Sequence, residues 1–143
     1  MKIVIVDASV GLKWLALFGQ EEFADRAKSV LDRRTAAEIV LLVPDLFWLE
    51  ISSALCKAMR RNKCTSAEAN QALVEMQQLP LRTVSSTKLI NSAQEIAIQY
   101  GRSVYDSVYV ALARESRSEF VTADEKLANA VAAHLPVKWL GAM

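Results

Sequence analysis

Short, wholly apolar runs alternate with longer amphipathic ones along this chain. Ile3 to Val6 is an unbroken apolar run, and "IVLLVP", Ile39 to Pro44, is a second. A run that is apolar on both faces reads as a strand buried inside a parallel sheet. "LRTVSS" from Leu81, "EFVT" from Glu119 and "VKWL" from Val137 read as further short strands. Helical periods fill the spaces between them. Ser9 to Phe18 is the first, and Glu21 to about Glu38 the second, with Phe23, Ala27, Val30 and Leu31 on one side. Asp45, placed after the strand-ending Pro44, can start a third over Leu46–Arg61. The capping box of Thr65 and Glu68 opens a fourth that ends near Pro80. Ser86–Tyr100, stopped by Gly101, Val104–Ser116, and Asp124 to about Ala133 complete the set.

Strands separated by helices predict an α/β fold: an α/β/α sandwich around a central, mostly parallel sheet of about five strands. Right-handed crossovers would cover both faces of that sheet. Sites in such folds form beyond the carboxyl ends of the strands, which directs attention to the residues that stand there.

Composition narrows the field. The 143 residues, without repeat or long linker, predict a single domain over 1–143. With 52% hydrophobic and 23% charged residues the chain can build a core, which argues against disorder. Its apolar runs are too short to span a bilayer and no signal-peptide pattern opens it, so the expectation is a cytoplasmic protein without a membrane partner. Cys56 and Cys64 do not make a disulfide framework and read as reduced thiols. The single histidine, His134, disfavours imidazole metal sites and Ser-His-Asp catalysis. Net charge is only +1, but "KAMRRNKC" concentrates Lys57, Arg60, Arg61 and Lys63, and Arg33 and Arg34 make a smaller cluster. The larger cluster admits two readings: a solvated helix end with favourable dipole placement, or a patch that contacts phosphates.

Four acids occupy awkward positions. Asp7 follows the first strand directly, where an ordinary helix cap would also stand. Glu50 has Leu46, Phe47, Ser53 and Ala54 as its helical neighbours, a mostly apolar setting in which an unpaired carboxylate is expensive. Asp106 lies in the first turn of its helix, where the helix dipole favours it. Asp124 follows the "EFVT" strand and is a good helix starter, with Thr122 and Glu125 spaced as a capping box. Each acid alone has a local explanation. Together they flank the carboxyl edge of one parallel sheet, where four carboxylates would raise one another's pKa unless a cation bound. Oxygen ligands without His or Cys select Mg²⁺ or Mn²⁺, and such an ion can activate water against a phosphodiester.

"VIVDASVGLKW", "PDLFWLEISSAL", "YDSVYVALA" and "FVTADEKLANAV" resemble, in this order, the four motifs of the PIN-domain family, and particularly its VapC-like toxins from toxin–antitoxin pairs. The resemblance covers nearly the whole chain. It implies a Mg²⁺- or Mn²⁺-dependent ribonuclease, a homodimer, and a cognate antitoxin. Its catalytic acids fall on Asp7, Glu50, Asp106 and Asp124, with Asp7, Asp106 and Asp124 as metal ligands. Ser9 and Thr122 fall on hydroxyl positions that orient the carboxylates. Relatives often carry Asn where this chain has Ser53, a change beside the carboxylates that leaves all four acids in place. Lys57, Arg60 and Arg61 would guide the RNA. Trp14, Phe18, Phe47 and Trp48 are either core residues or the apolar groove for an antitoxin helix, and Tyr105 and Tyr109 either pack or stack on bases. Two rival functions remain open at this point. One is a non-catalytic RNA- or protein-binding module on the same fold. The other is a different carboxylate–Mg²⁺ phosphoesterase.

Overall fold

Buried strands at both ends of the chain are brought side by side. The computed structural model describes residues 1–18 and 21–143. The strands are β1 (Lys2–Val6), β2 (Ile39–Pro44), β3 (Arg82–Val84), β4 (Glu119–Thr122) and β5 (Val137–Trp139). They form one sheet in the order β3-β2-β1-β4-β5, with every pairing parallel. Its centre is the driest part. Val4, Ile5 and Val6 of β1, Ile39, Leu41 and Val43 of β2, and Phe120 and Val121 of β4 are all buried. The two edge strands are short and expose Arg82 and Lys138, charges that discourage pairing with another chain. The helices are α1 (Ala8–Gly11), α2 (Ala24–Thr35), α3 (Leu46–Arg60), α4 (Ser66–Gln77), α5 (Ile90–Tyr100), α6 (Val104–Ser116) and α7 (Glu125–Val131). Ser107 to Ala113 of α6 are buried without a gap, since this helix lies against β1, β2 and β4. The sandwich expected from the hydrophobic pattern is therefore present. Among the described residues no helix is long and apolar enough to cross a membrane.

Three expected helices differ in detail. The predicted helix over Ser9–Phe18 is one α-turn, α1, that continues as a 3-10 turn over Leu12–Trp14. It breaks at Leu15, whose backbone is extended and whose side chain is buried, before a second 3-10 turn over Ala16–Phe18. Tertiary contacts decide this: Trp14 Nε1 donates to the Ala27 carbonyl at 2.8 Å. At Gly11 a Cβ would lie 2.8 Å from Phe47 Cζ, so only glycine lets the turn pack this close to α3. The predicted helix from Glu21 begins three residues late. Phe23 takes a left-handed φ of 62°, with its ring edge-on to Trp139 and Arg26 over its face. The predicted helix from Ser86 opens with a 3-10 turn over Ser86–Leu89 before α5 begins.

The capping box of Thr65 and Glu68 is complete, with Glu68 N–H donating to Thr65 Oγ1 at 3.1 Å and Thr65 N–H to Glu68 Oε1 at 2.9 Å. Cys56 and Cys64 are both free thiols.

The chain runs outward from β1 through β2 to β3, then returns to place β4 and β5 on the opposite side of β1. The sheet order therefore reverses between β1 and β4, and the crevice at their carboxyl ends is the position where such folds hold ligands.

Candidate active site

Asp7 stands at that reversal. The strand before it is rigid, and the register that pairs Val6 with Val121 puts Asp7 beside Thr122. Both of its carboxylate oxygens are held by hydroxyls. Ser9 Oγ donates to Oδ1 at 2.5 Å and Thr122 Oγ1 donates to Oδ2 at 2.6 Å. The N–H of Val10 also reaches Oδ1 at 3.3 Å, so Asp7 caps α1 as well. The two hydroxyls are fixed in turn by the chain after β4: Ala123 N–H donates to Ser9 Oγ at 3.0 Å and Asp124 N–H to Thr122 Oγ1 at 3.1 Å. Thr122 is thus committed to Asp7 rather than to the capping box its spacing with Glu125 suggested. Asp124 is the cap of α7, accepting from Leu127 N–H at 3.1 Å.

Glu50 is half-buried on α3, and its Oε1 accepts from Tyr109 Oη at 2.5 Å. Tyr109 is buried against the ring of Phe120 in β4, the centroids 5.4 Å apart and nearly parallel. Asp106 opens α6, where its N–H donates to the capping Ser103 Oγ at 3.0 Å and its carboxylate lies 3.6 Å from Arg102 Nη2.

Asp7, Glu50 and Asp106 are each pushed up from the ordinary carboxylate range. Burial pushes the Asp7 carboxyl up to about 6 against the lowering effect of Ser9 and Thr122, and Asp106 adds repulsion. Burial also raises Glu50, with Asp7 and Asp106 repelling it. Asp106 is raised by burial and then by Asp124, with Arg102 opposing. The Tyr109 hydroxyl is pushed far up by burial and by Glu50, so it stays a proton donor.

The sequence of this constellation matches the family model described as PIN domain over residues 4–132. The chain belongs to the PIN domain family. It is 30% identical to Ribonuclease VapC3 of Pyrobaculum aerophilum over 131 residues, 90% of this chain and 94% of that one. Two solved structures share its fold. The crystal structure of PAE2754 from Pyrobaculum aerophilum has a TM-score of 0.71 at 19% identity, covering 99% of this chain and 92% of the other. A toxin–antitoxin complex from Klebsiella pneumoniae has a TM-score of 0.63 at 15% identity, covering 94% and 95%.

PIN membership implies a divalent metal requirement, and the donor chemistry fits one. The site offers carboxylate and hydroxyl oxygens without His or Cys, the set a hard cation prefers. Among the described residues neither Asp7 nor Glu50 has a cationic side chain within salt-bridge distance. The acids are instead pushed up by burial and mutual repulsion, as expected of a site short of positive charge. Among the described residues no three His, Cys, Asp or Glu side chains form a ready-made cluster around one point. Mg²⁺ does not need one, since it keeps several waters and uses one or two carboxylates plus substrate phosphate.

Of the other expected residues, Ser9, Glu50, Ser53, Lys57 and Arg61 line one cavity of about 470 Å³, while Asp7, Asp106, Asp124 and Arg60 are outside its lining. Lys63 lines it too, and sequence reasoning assigned it no role beyond the basic cluster. Tyr109, expected either to pack or to stack on bases, does pack, but its bond to Glu50, 59 residues away, was not foreseen. Tyr105 is largely exposed. Phe47 is fully buried, while Trp14, Phe18 and Trp48 are partly buried against the core.

Proposed function

We propose that this chain is a VapC-type ribonuclease, the toxin of a toxin–antitoxin pair, that hydrolyses RNA phosphodiester bonds with Mg²⁺ or Mn²⁺. The observation that carries this reading is Asp7. It is a buried carboxylate at the sheet reversal, oriented on both oxygens and repelled by Asp106, in a chain that aligns over 90% of its length with a named VapC ribonuclease. Asp7, Asp106 and Asp124 would hold the ion, directly or through the waters it keeps. Bound there, the ion would supply Lewis-acid stabilisation of the phosphate and a more acidic water.

The chain's own residues do the positioning. Ser9 and Thr122 aim the Asp7 oxygens, and Asp124 N–H steadies Thr122. Tyr109 occupies Oε1 of Glu50, which leaves Oε2 to orient the attacking water. Ser53, one turn along α3, lines the same cavity as Glu50 and leaves room where a larger amide would stand. The working partners are an RNA substrate, a second copy of this chain as a homodimer, and a cognate antitoxin, which the fold shared with a toxin–antitoxin complex supports. The working compartment is the cytoplasm.

The test is cleavage of a panel of structured RNAs with Mn²⁺ or Mg²⁺ added or chelated. Metal-dependent cleavage by the wild-type protein, lost in Asp7→Asn, is the expected result. Cleavage that ignores the chelator, or that survives Asp7→Asn, contradicts the reading.

A further inference from the structure

The cavity beside Glu50 is a groove with two unlike walls. One wall is the α3 face that carries Glu50 and then Lys57 and Arg61, with Lys63 beyond the helix end. The other carries Ser9 and Phe18, among the described residues the one aromatic ring in the lining. Glu50, Lys57 and Arg61 are spaced to share one helical face, and they span about 16 Å along the axis. Among the described residues none of the three cations has a carboxylate within 4.0 Å. Favourable placement near a helix C-terminus accounts for Lys57 in the last turn. It does not account for Lys63, which lies outside the helix, nor for three unpaired cations sharing a groove with Glu50.

We infer that this groove is the track for a single-stranded stretch of RNA leading away from the scissile phosphate, with Lys57, Arg61 and Lys63 on the phosphates and Phe18 under a base. The inference rests on the ribonuclease reading for the identity of the strand. A basic track with an aromatic platform is the chemistry that holds single strands. A duplex keeps its bases stacked inside and offers none to Phe18. Arg60 separates this site from a general basic patch, because it follows Lys57 by three residues and is exposed outside the groove lining.

Fluorescence anisotropy with a fluorescein-labelled, 12-nucleotide single-stranded RNA tests this on the full chain in EDTA, across a salt series. Each phosphate contact on a single strand contributes about 0.7 to the slope of log K against log salt. The combined variant Lys57→Ala, Arg61→Ala, Lys63→Ala is expected to lower that slope by about 2 and to weaken binding about tenfold or more. Arg60→Ala should leave the slope in place. Phe18→Leu, which keeps the apolar packing, should weaken binding about fivefold or more with the slope unchanged, since stacking is not ionic. An unlabelled duplex of the same sequence should compete poorly.

A slope that falls as far in Arg60→Ala as in Arg61→Ala would overturn the track. So would equal competition by the duplex. Unchanged binding by the combined variant would also overturn it, and would leave the three cations to an acidic polypeptide. The two readings fail separately. Binding that behaves as expected without any Mn²⁺-dependent cleavage keeps the track and removes the ribonuclease. Cleavage by the combined variant with unchanged KM removes the track and keeps the ribonuclease.

Discussion

Asp7 and Asp106 repel each other and are held in opposite ways. Asp7 is buried, and hydroxyls from both sides of the sheet reversal occupy its two oxygens without bringing any positive charge. Asp106 is half-exposed at a helix start and already has Arg102 at 3.6 Å. The first is bonded on both oxygens and electrostatically unfavourable; the second is more exposed and partly compensated. Burying a carboxylate beside others without a counter-ion lowers stability. The fold tolerates that at Asp7 and softens it at Asp106; under the proposed function Asp7 would anchor the ion and Asp106 would complete its shell.

The largest expected effect comes from removing the anchor. Asp7→Asn should lower metal-dependent RNA cleavage by more than about 100-fold, beyond the 10- to 100-fold typical of residues that merely support a ligand. Steady-state cleavage assays check this. Thr122→Val comes next. It deletes the donor to Asp7 Oδ2 at nearly constant volume, and activity should fall about 10- to 100-fold, with Thr122→Ser restoring most of it. A Thr122→Val protein with full activity would separate Asp7 orientation from function. Tyr109→Phe keeps the stack on Phe120 and removes only the hydroxyl on Glu50. The loss of one hydrogen bond to a charged group predicts about a tenfold fall in kcat. The same substitution in a Glu50→Gln background should do far less, since Tyr109 acts through Glu50.

The smallest effect concerns stability and pH. The Asp7 carboxyl keeps its proton to about 6 when folded and releases it near the ordinary 3.8 when unfolded. Between those values the native state binds more protons, so the metal-free protein loses stability as pH rises through that window. The contribution is roughly 3 kcal/mol at full ionisation. Denaturant melts from pH 4 to pH 8 should show the decline in the wild type and a flatter profile in Asp7→Asn. Asp106→Asn, which leaves Asp7 buried and costs Arg102 its partner, should change the profile much less.

The legible parts of this protein were those whose cause is local. Ile3–Val6 and Ile39–Pro44 are apolar on both faces and mostly buried, and they read as strands on the apolar run alone. The buried stretch of α6 and the capping box of Thr65 were equally plain. What escaped depends on distant partners. The break at Leu15 follows from Trp14 reaching Ala27, and the late start of α2 from Phe23 meeting Trp139. The four acids proposed for the site could be picked out because each closes a strand or sits at a helix start or on a packing face. The bond from Tyr109 to Glu50 left no trace at either position, and Thr122, whose spacing suggested a cap, was expected to orient a carboxylate only through the family resemblance, until the register set it against Asp7. The basic cluster was visible as charge, but only the packing of α3 separates Lys57, Arg61 and Lys63 from Arg60.

The claim that the site is short of a cation meets its most direct test in one measurement: the melting temperature at pH 8, with and without Mn²⁺, of wild type and Asp7→Asn. Asp7→Asn is expected to melt above the wild type in metal-free buffer, and Mn²⁺ to raise the wild type but leave the variant nearly unmoved. A variant that melts below the wild type without metal, and still gains as much from Mn²⁺, would contradict the claim.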